Sequence, residues 1–347
     1  MKAVMLHGPG DVRVDELPMP EIVDPTDAIL RVTNTAICGT DLHCLHGGIP
    51  AAQSDIVLGH EFAGVVEAVG DGVHDIEVGE RYVASMMVGC GACAGCQRQE
   101  SRSCTYFGMF GMGPAFGDLQ GGQAEYVRVP FADRTLIEQP AGVATNDMLM
   151  LTDILSTAWT ALTRAGVRGG NTVTVVGAGP VGQLLVMCAP LFGASRVIAV
   201  DLDATRLRQA EELGAIPVNA AEVDPRDGVF DHTNNQGADV TIEAVGNAAA
   251  LETALGVTRM AGTVVQVGTL VDEPMPWSAG EMFMRSVAWI PVLGEPPTHA
   301  EALTRLVAAG RLAPSRVVSH EMPLEDAPKA YELFDRREAT KVVLTTE

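Results

Sequence analysis

Residues Thr172–Val176 form an apolar, β-branched run that leads into Gly177-Ala178-Gly179-Pro180-Val181-Gly182, spaced G-x-G-x-x-G. No other segment limits the fold as strongly. A five-residue run without polar alternation needs cover on both faces, the condition of a strand inside a parallel sheet. Gly177 permits the tight turn, Gly179 lets backbone approach a pyrophosphate, and Gly182 lets the next helix pack closely on the strand. That helix opens at Pro180 and Val181, where unpaired N–H groups and the positive end of the dipole favour an anion. Asp201 ends the next strand, nineteen residues beyond Gly182. A carboxylate there accepts hydrogen bonds from both hydroxyls of an adenosine ribose and repels a 2′-phosphate. The pattern points to NAD(H) rather than NADP(H). Arg206 reads either as a contact to the adenosine side or as a solvated helix residue.

The same alternation continues on both sides. Helical segments at Thr157–Arg164, Val181–Phe192 and Ala204–Leu213 are interleaved with strands at Arg196–Val200, Asp239–Ala244 and Thr263–Val267. This is the sign of an α/β domain with a doubly wound parallel sheet. A chain of 347 residues accommodates about two domains. Up to about residue 150, Gly and Pro punctuate short Val-rich runs (Ala28–Val32, Phe62–Val69, Arg81–Met86), which reads as a β-rich domain. Past Trp289 lie helices near Ala300–Ala309 and Glu325–Phe334 and a strand at Lys341–Leu344. Periodicity alone leaves open whether this tail extends the sheet or returns to the first domain.

Cys90, Cys93, Cys96 and Cys104 give C-x2-C-x2-C-x7-C. Four thiolates so close wrap one tetrahedral zinc and leave no position open for chemistry. The last gap of seven residues, with no proline after Cys104, departs from the bacterial ferredoxin run, so zinc is expected over iron–sulfur. A nucleic-acid-binding zinc ribbon is excluded on charge. The lobe carries only Arg98 and Arg102 as cations, and 44 acidic against 23 basic residues leave the chain at −21. No run of eighteen apolar residues suits a membrane span, and residues 1–8 lack the apolar core of a secretory leader, so a cytoplasmic location is expected.

Two upstream pieces and one downstream residue offer further ligands. Cys38-Gly39-Thr40-Asp41-Leu42-His43 brings a thiolate, a hydroxyl and an imidazole within six residues, and His60 and Glu61 stand at the start of a strand. Asp153 lies where the two domains meet. Cys, His and a carboxylate with one position left to water or substrate make a catalytic zinc site. Taken singly, each residue also reads as a core cysteine, a satisfied histidine or a helix cap.

Together these motifs resemble those of the zinc-dependent medium-chain alcohol dehydrogenases, specifically the bacterial secondary-alcohol branch, over essentially the whole chain. The resemblance implies a GroES-like β-barrel catalytic domain, discontinuous over 1–152 and 290–347, with a Rossmann domain over 153–289. It implies that Cys38, His60 and Asp153 hold a catalytic zinc, and that Glu61 stands behind them or serves as an exchangeable fourth ligand. Thr40 and His43 are implied as the proton relay. Thr157 should lie against the nicotinamide, whose surroundings would be completed by Val245, Val267, Gly268 and Thr269, with Trp289 and Ile290 on the substrate side. Two zinc ions per chain, NAD, and a homodimer or homotetramer complete the expectation. The expected reaction is hydride transfer between a primary or secondary alcohol and NAD⁺. Polyol and threonine dehydrogenases share nearly every motif, and a non-catalytic NAD-binding, zinc-stabilised protein is the alternative of another class. The aromatic and methionine-rich stretch Tyr106–Phe116 reads equally as substrate pocket or as packing.

Overall fold

Thr172–Val176 is buried along its whole length and lies third in a six-stranded, all-parallel sheet. The structure is a computed structural model that describes residues 1–49, 55–270 and 274–346. The chain divides after Ser156 and after Gly294 into two units, Met1–Ser156 with Glu295–Glu347, and Thr157–Gly294. Asp153 thus belongs to the first unit.

In the second unit the spatial order is Ile216–Asn219, Arg196–Asp201, Thr172–Val176, Ala238–Glu243, Thr258–Gln266 and Ala288–Pro291. Strand order reverses at Thr172–Val176, so the carboxyl end of that strand is a topological switch point where ligands bind in such sheets. Ile198, Val200, Val218, Leu251, Leu255 and Val264 are buried in its core. The helix after the glycines is shorter than its apolar run. It spans Pro180–Cys188 and tightens to a 3-10 turn over Ala189–Phe192. Pro190 has no N–H to give and its ring crowds the carbonyl of the preceding turn, so the α-helix stops there. Trp289 pairs in register with Val264, short of the carboxyl end of the sheet, and packs edge-on against Trp277 at 6.1 Å.

The first unit is largely antiparallel. Ala28–Ala36 is its hub, paired with Glu61–Val69, Tyr126–Val129 and Val342–Thr345. The tail therefore returns to the first unit: Val342, Val343 and Leu344 are fully buried there, and His320–Pro323 pairs alongside them. Leu30, Val32, Phe62, Val66 and Phe110 lie in one core cluster, with the Phe62 and Phe110 rings 4.9 Å apart at 87°. Phe110, Met109 and Met112 are buried, so this part of the 106–116 stretch is packing, while Tyr106 is exposed beside Phe131. No helix among the described residues is long and apolar enough to cross a membrane.

Candidate active site

Antiparallel register places the first metal-ligand candidates. Ala36 pairs with Glu61, so the chain continues to Cys38 at the sheet end where His60 enters. Cys38 is the N-cap of the helix Gly39–Leu45, and Asp41 accepts the Cys38 N–H at 3.0 Å. Gly59, at φ +95°, turns the chain just before His60 in a conformation that glycine adopts without strain. Asp153 follows the 3-10 turn Met150–Thr152.

These elements bring one ligand atom each from Cys38, His60, Glu61 and Asp153 within 4.8 Å of one another, all four residues being buried. Asp153 Oδ2 is 3.4 Å from Cys38 Sγ and 3.4 Å from His60 Nε2. Ligands about 2.0–2.3 Å from a tetrahedral zinc stand roughly 3.5 Å from each other, so the donor set fits that ion. Its charge balance points the same way. Cys38 and Asp153 face one imidazole, and Glu61, whose Oε1 accepts from Lys341, keeps its Oε2 buried with no hydrogen-bond partner among the described residues. Burial pushes the Cys38 thiol up, and the Asp153 charge adds to it. For His60 burial opposes the charged ring, but Asp41 and Cys38 outweigh it and hold its pKa well above the ordinary value. A divalent cation relieves these conflicts.

Two groups here carried no assigned role in the sequence analysis. Asp41 Oδ1 faces His60 Nδ1 at 3.4 Å. Lys341, only 1% exposed, donates to Glu61 Oε1 at 2.6 Å and to the Ile37 carbonyl at 3.0 Å. Spacing could not disclose the second pair, which joins residues 280 apart. The Thr40 hydroxyl is 3.8 Å from Cys38 Sγ. His43 lies three residues further along the same helix, on the same face. It is half-buried, and burial together with the nearby His46 lowers its pKa.

The four lobe cysteines also present one sulfur each within 4.8 Å of one another. All are free thiols, and the Cys90 and Cys104 sulfurs are 3.6 Å apart, too far for a disulfide bond. Tetrahedral Zn–S bonds of about 2.3 Å separate sulfurs by roughly 3.8 Å. Backbone N–H groups of Cys90 and Tyr106 each lie 3.3 Å from Cys104 Sγ, the kind of contact that stabilises a thiolate. Hydrogen bonding, first from the Cys96 backbone, lowers the Cys93 thiol to about 6.

In the second unit the glycine-rich turn meets two neighbouring loops at the carboxyl end of the sheet. A Cβ on Gly177 would stand 2.6 Å from Val245 Cγ2, and one on Gly268 would stand 2.2 Å from Gly246 N. Gly246 likewise abuts Thr269, and Val267 N–H bonds the Glu243 carbonyl at 2.9 Å. A Cβ on Gly182 would fall 1.9 Å from the Gly177 carbonyl oxygen, so glycine is required where helix meets turn. Gly179 is different: its nearest neighbour is Arg206 Nη1 at 3.9 Å, leaving its Cα face open to a ligand backbone. Asp201 accepts from Ala178 N–H at 2.6 Å and from Asp203 N–H at 2.9 Å, which ties it to the turn. A carboxylate has about four acceptor positions, so capacity for ribose hydroxyls remains. Glu243, also unassigned in the sequence analysis, is buried and accepts from Val245 and Gly246 N–H at 2.7 and 2.6 Å. Thr157 is buried with its hydroxyl against Gly294. All the proposed dinucleotide residues except Thr157 come from the turn or from the loops and helix at this end of the sheet.

A doubly wound dinucleotide sheet, a buried Cys-His-carboxylate cluster and a four-cysteine lobe together define a zinc-type dehydrogenase. Residues 24–140 match the alcohol dehydrogenase GroES-like domain, and residues 180–309 match the zinc-binding dehydrogenase family. A zinc-type alcohol dehydrogenase-like protein of Bacillus subtilis is 35% identical, the match covering 99% of this chain and all of the relative. The solved structure of alcohol dehydrogenase TADH from Thermus sp. ATN1 is 42% identical with a TM-score of 0.94, covering 99% of each chain. A zinc-binding dehydrogenase from Sinorhizobium meliloti, solved with NADP, is 30% identical with a TM-score of 0.87, covering 99% of this chain and 98% of its own. The chain belongs to the zinc-dependent medium-chain alcohol dehydrogenases, with a GroES-like domain and a Rossmann domain.

Proposed function

We propose that this oxidoreductase interconverts a primary or secondary alcohol and its aldehyde or ketone, using NAD(H), one catalytic zinc and one structural zinc. The convergence of the Cys38, His60, Glu61 and Asp153 ligand atoms in a buried cluster carries the reading. Cys38, His60 and Asp153 would hold the catalytic ion, while Glu61, engaged by Lys341, stands behind them. When bound, zinc supplies Lewis acidity towards the substrate oxygen, and the nicotinamide exchanges hydride with the carbinol carbon.

The residues around the site manage the proton. Thr40 would accept the substrate hydroxyl proton while giving its own to His43, which passes a proton outward. With its pKa below the ordinary value near 6.5, His43 is neutral at pH 7 and able to accept. Cys90, Cys93, Cys96 and Cys104 hold the second ion and shape their lobe. Gly177, Gly179, Pro180, Val181 and Gly182 receive the pyrophosphate. Asp201 receives the adenosine ribose, with Arg206 beside Gly179, while Thr157, Val245, Val267, Gly268 and Thr269 serve the nicotinamide.

Zinc content measured by atomic emission is expected to be about two ions per chain, one in the Cys38–His60–Asp153 set and one in the four-cysteine lobe. Reduced-nicotinamide absorbance should then report turnover with alcohols and prefer NAD⁺ over NADP⁺. A content near one with full activity defeats the catalytic-metal reading, and no turnover across primary, secondary and polyol alcohols defeats the reaction.

The His43 role has its own test. Only neutral imidazole accepts a proton, so alcohol oxidation should fall on the acid side as pH drops through the His43 pKa. His46 is a cause of that lowered pKa. Replacing it, His46→Gln, removes the repulsion, raises the His43 pKa and moves the acid limb of kcat/KM to higher pH. A limb that stays in place or moves down removes His43 from the relay.

A further inference from the structure

The segment 121–123 runs beside the turn that delivers His60. Gly121, Gly122 and Gln123 donate their N–H groups to the carbonyls of Val57, Gly59 and Leu58 at 2.8, 2.8 and 2.9 Å. The Gln123 side chain is thereby laid against Gly59, where a Cβ would come within 2.4 Å of Gln123 Cγ. It is fully buried. Its Nε2 donates to Asp41 Oδ2 at 3.1 Å, and its Oε1 accepts from the Tyr331 hydroxyl at 2.8 Å. Tyr331 is 2% exposed and comes from the helix Ala327–Asp335.

The direction of this chain follows from donor and acceptor chemistry. Asp41 Oδ2 already accepts the Cys38 N–H, so the amide turns its NH₂ towards that oxygen. The amide oxygen is then left facing Tyr331, whose hydroxyl must donate. Asp41 Oδ2 is occupied by Gln123 and by the Cys38 N–H. Asp41 Oδ1 remains for His60 Nδ1, 3.4 Å away, and among the described residues neither atom has a hydrogen-bond partner. A proton on Nδ1 is the arrangement that suits a facing carboxylate. Nε2, which points at Asp153, then keeps its lone pair for a metal.

We propose that Gln123 and Tyr331 are positioning residues for the metal ligand His60, acting through Asp41. The inference rests on the reading of Cys38, His60 and Asp153 as zinc ligands. Gln123→Met removes all three side-chain contacts, to Asp41, to Tyr331 and to the Ala36 carbonyl at 3.4 Å, at nearly constant volume, and Tyr331→Phe removes only the terminal hydroxyl. Outer hydrogen-bond partners of this kind change metal affinity by about 10- to 100-fold.

The test is zinc affinity of the full-length apoprotein, titrated against a chromophoric chelator, so it does not depend on turnover. Wild type should bind two zinc ions. Gln123→Met should weaken one of them about 10- to 100-fold, Tyr331→Phe should weaken the same one by less, and the other should be unchanged. Leu30→Ala truncates the core of the same unit without touching the chain of contacts. It should lower the urea midpoint while leaving both zinc affinities within about twofold, because its effect is on packing. Equal zinc affinities in wild type and both polar variants overturn the proposal, as does an equal loss in Leu30→Ala. If wild type itself takes up only one zinc, the catalytic-metal reading fails first and this inference falls with it.

Discussion

Cys38→Ser is expected to lower turnover by about 1000-fold or more while leaving NAD binding within about twofold of wild type. A Lewis-acidic ion contributes several kcal/mol of charge stabilisation in the transition state, and each 1.36 kcal/mol is tenfold in rate. Serine keeps the N-cap position but replaces a thiolate with a weak neutral ligand. The remaining donors, His60 and Asp153, then no longer make a three-ligand site. Zinc content should drop from about two ions to about one. The glycine-rich turn and Asp201 belong to the other structural unit, so titration calorimetry with NAD⁺ separates loss of chemistry from loss of fold. Cys93→Ser should behave oppositely. It loosens the lobe and lowers the thermal midpoint, yet the molecules still folded turn over. If Cys38→Ser retained turnover within tenfold of wild type, Cys38 would not be a ligand the reaction needs.

Lys341→Met is expected to cost about 3–5 kcal/mol of stability, the range for removing one partner of a buried ion pair. Lys341 is 1% exposed and Glu61 fully buried, with the thiol of Cys38 and the carboxylate of Asp153 adding to the field around them. Methionine fills most of the space but leaves the Glu61 carboxylate and the Ile37 carbonyl without the ammonium that now serves both. The double variant Lys341→Met/Glu61→Leu should recover much of the loss, since a packed apolar pair avoids the desolvation that an ion pair must offset. Urea unfolding of the three proteins decides it. A single variant less than about 1 kcal/mol below wild type would mean that the pair contributes far less than a buried ion pair should.

Lys341 also shows where sequence reading stops. At the start of the run Lys341–Leu344, a lysine is ordinarily a solvated strand end. Nothing local marks it as the partner of a carboxylate 280 residues earlier. The glycine pattern at Gly177–Gly182 was legible because its causes are local: a turn, a close helix–strand contact and an open backbone all lie within six residues. The lobe was legible for the same reason, its four sulfurs coming from one short loop. Cys38, His60 and Asp153 were recognisable by residue type and motif, but the approach of Cys38 to His60 depends on the register between Ala28–Ala36 and Glu61–Val69, and Asp153 arrives from the separate turn Met150–Thr152. The apolar run after Gly182 misled in length, because hydrophobic pattern continues through Pro190 while backbone hydrogen bonding does not.

The amino-acid sequence by itself determined the parallel sheet, the dinucleotide turn, the closed cysteine lobe and the types of ligand available for a second metal. Each follows from periodicity, backbone freedom or donor chemistry acting over short spans. The return of the tail, which periodicity left open, was implied by the family resemblance, and tertiary structure alone decided that Lys341 neutralises Glu61 and that Tyr331, Gln123 and Asp41 line up behind His60. Those are pairings of buried polar groups, 280 residues apart for Lys341 and Glu61 and 208 for Tyr331 and Gln123. Burial makes an unmatched charge or hydrogen-bonding group costly, but which distant group supplies the match is set by strand register and helix packing.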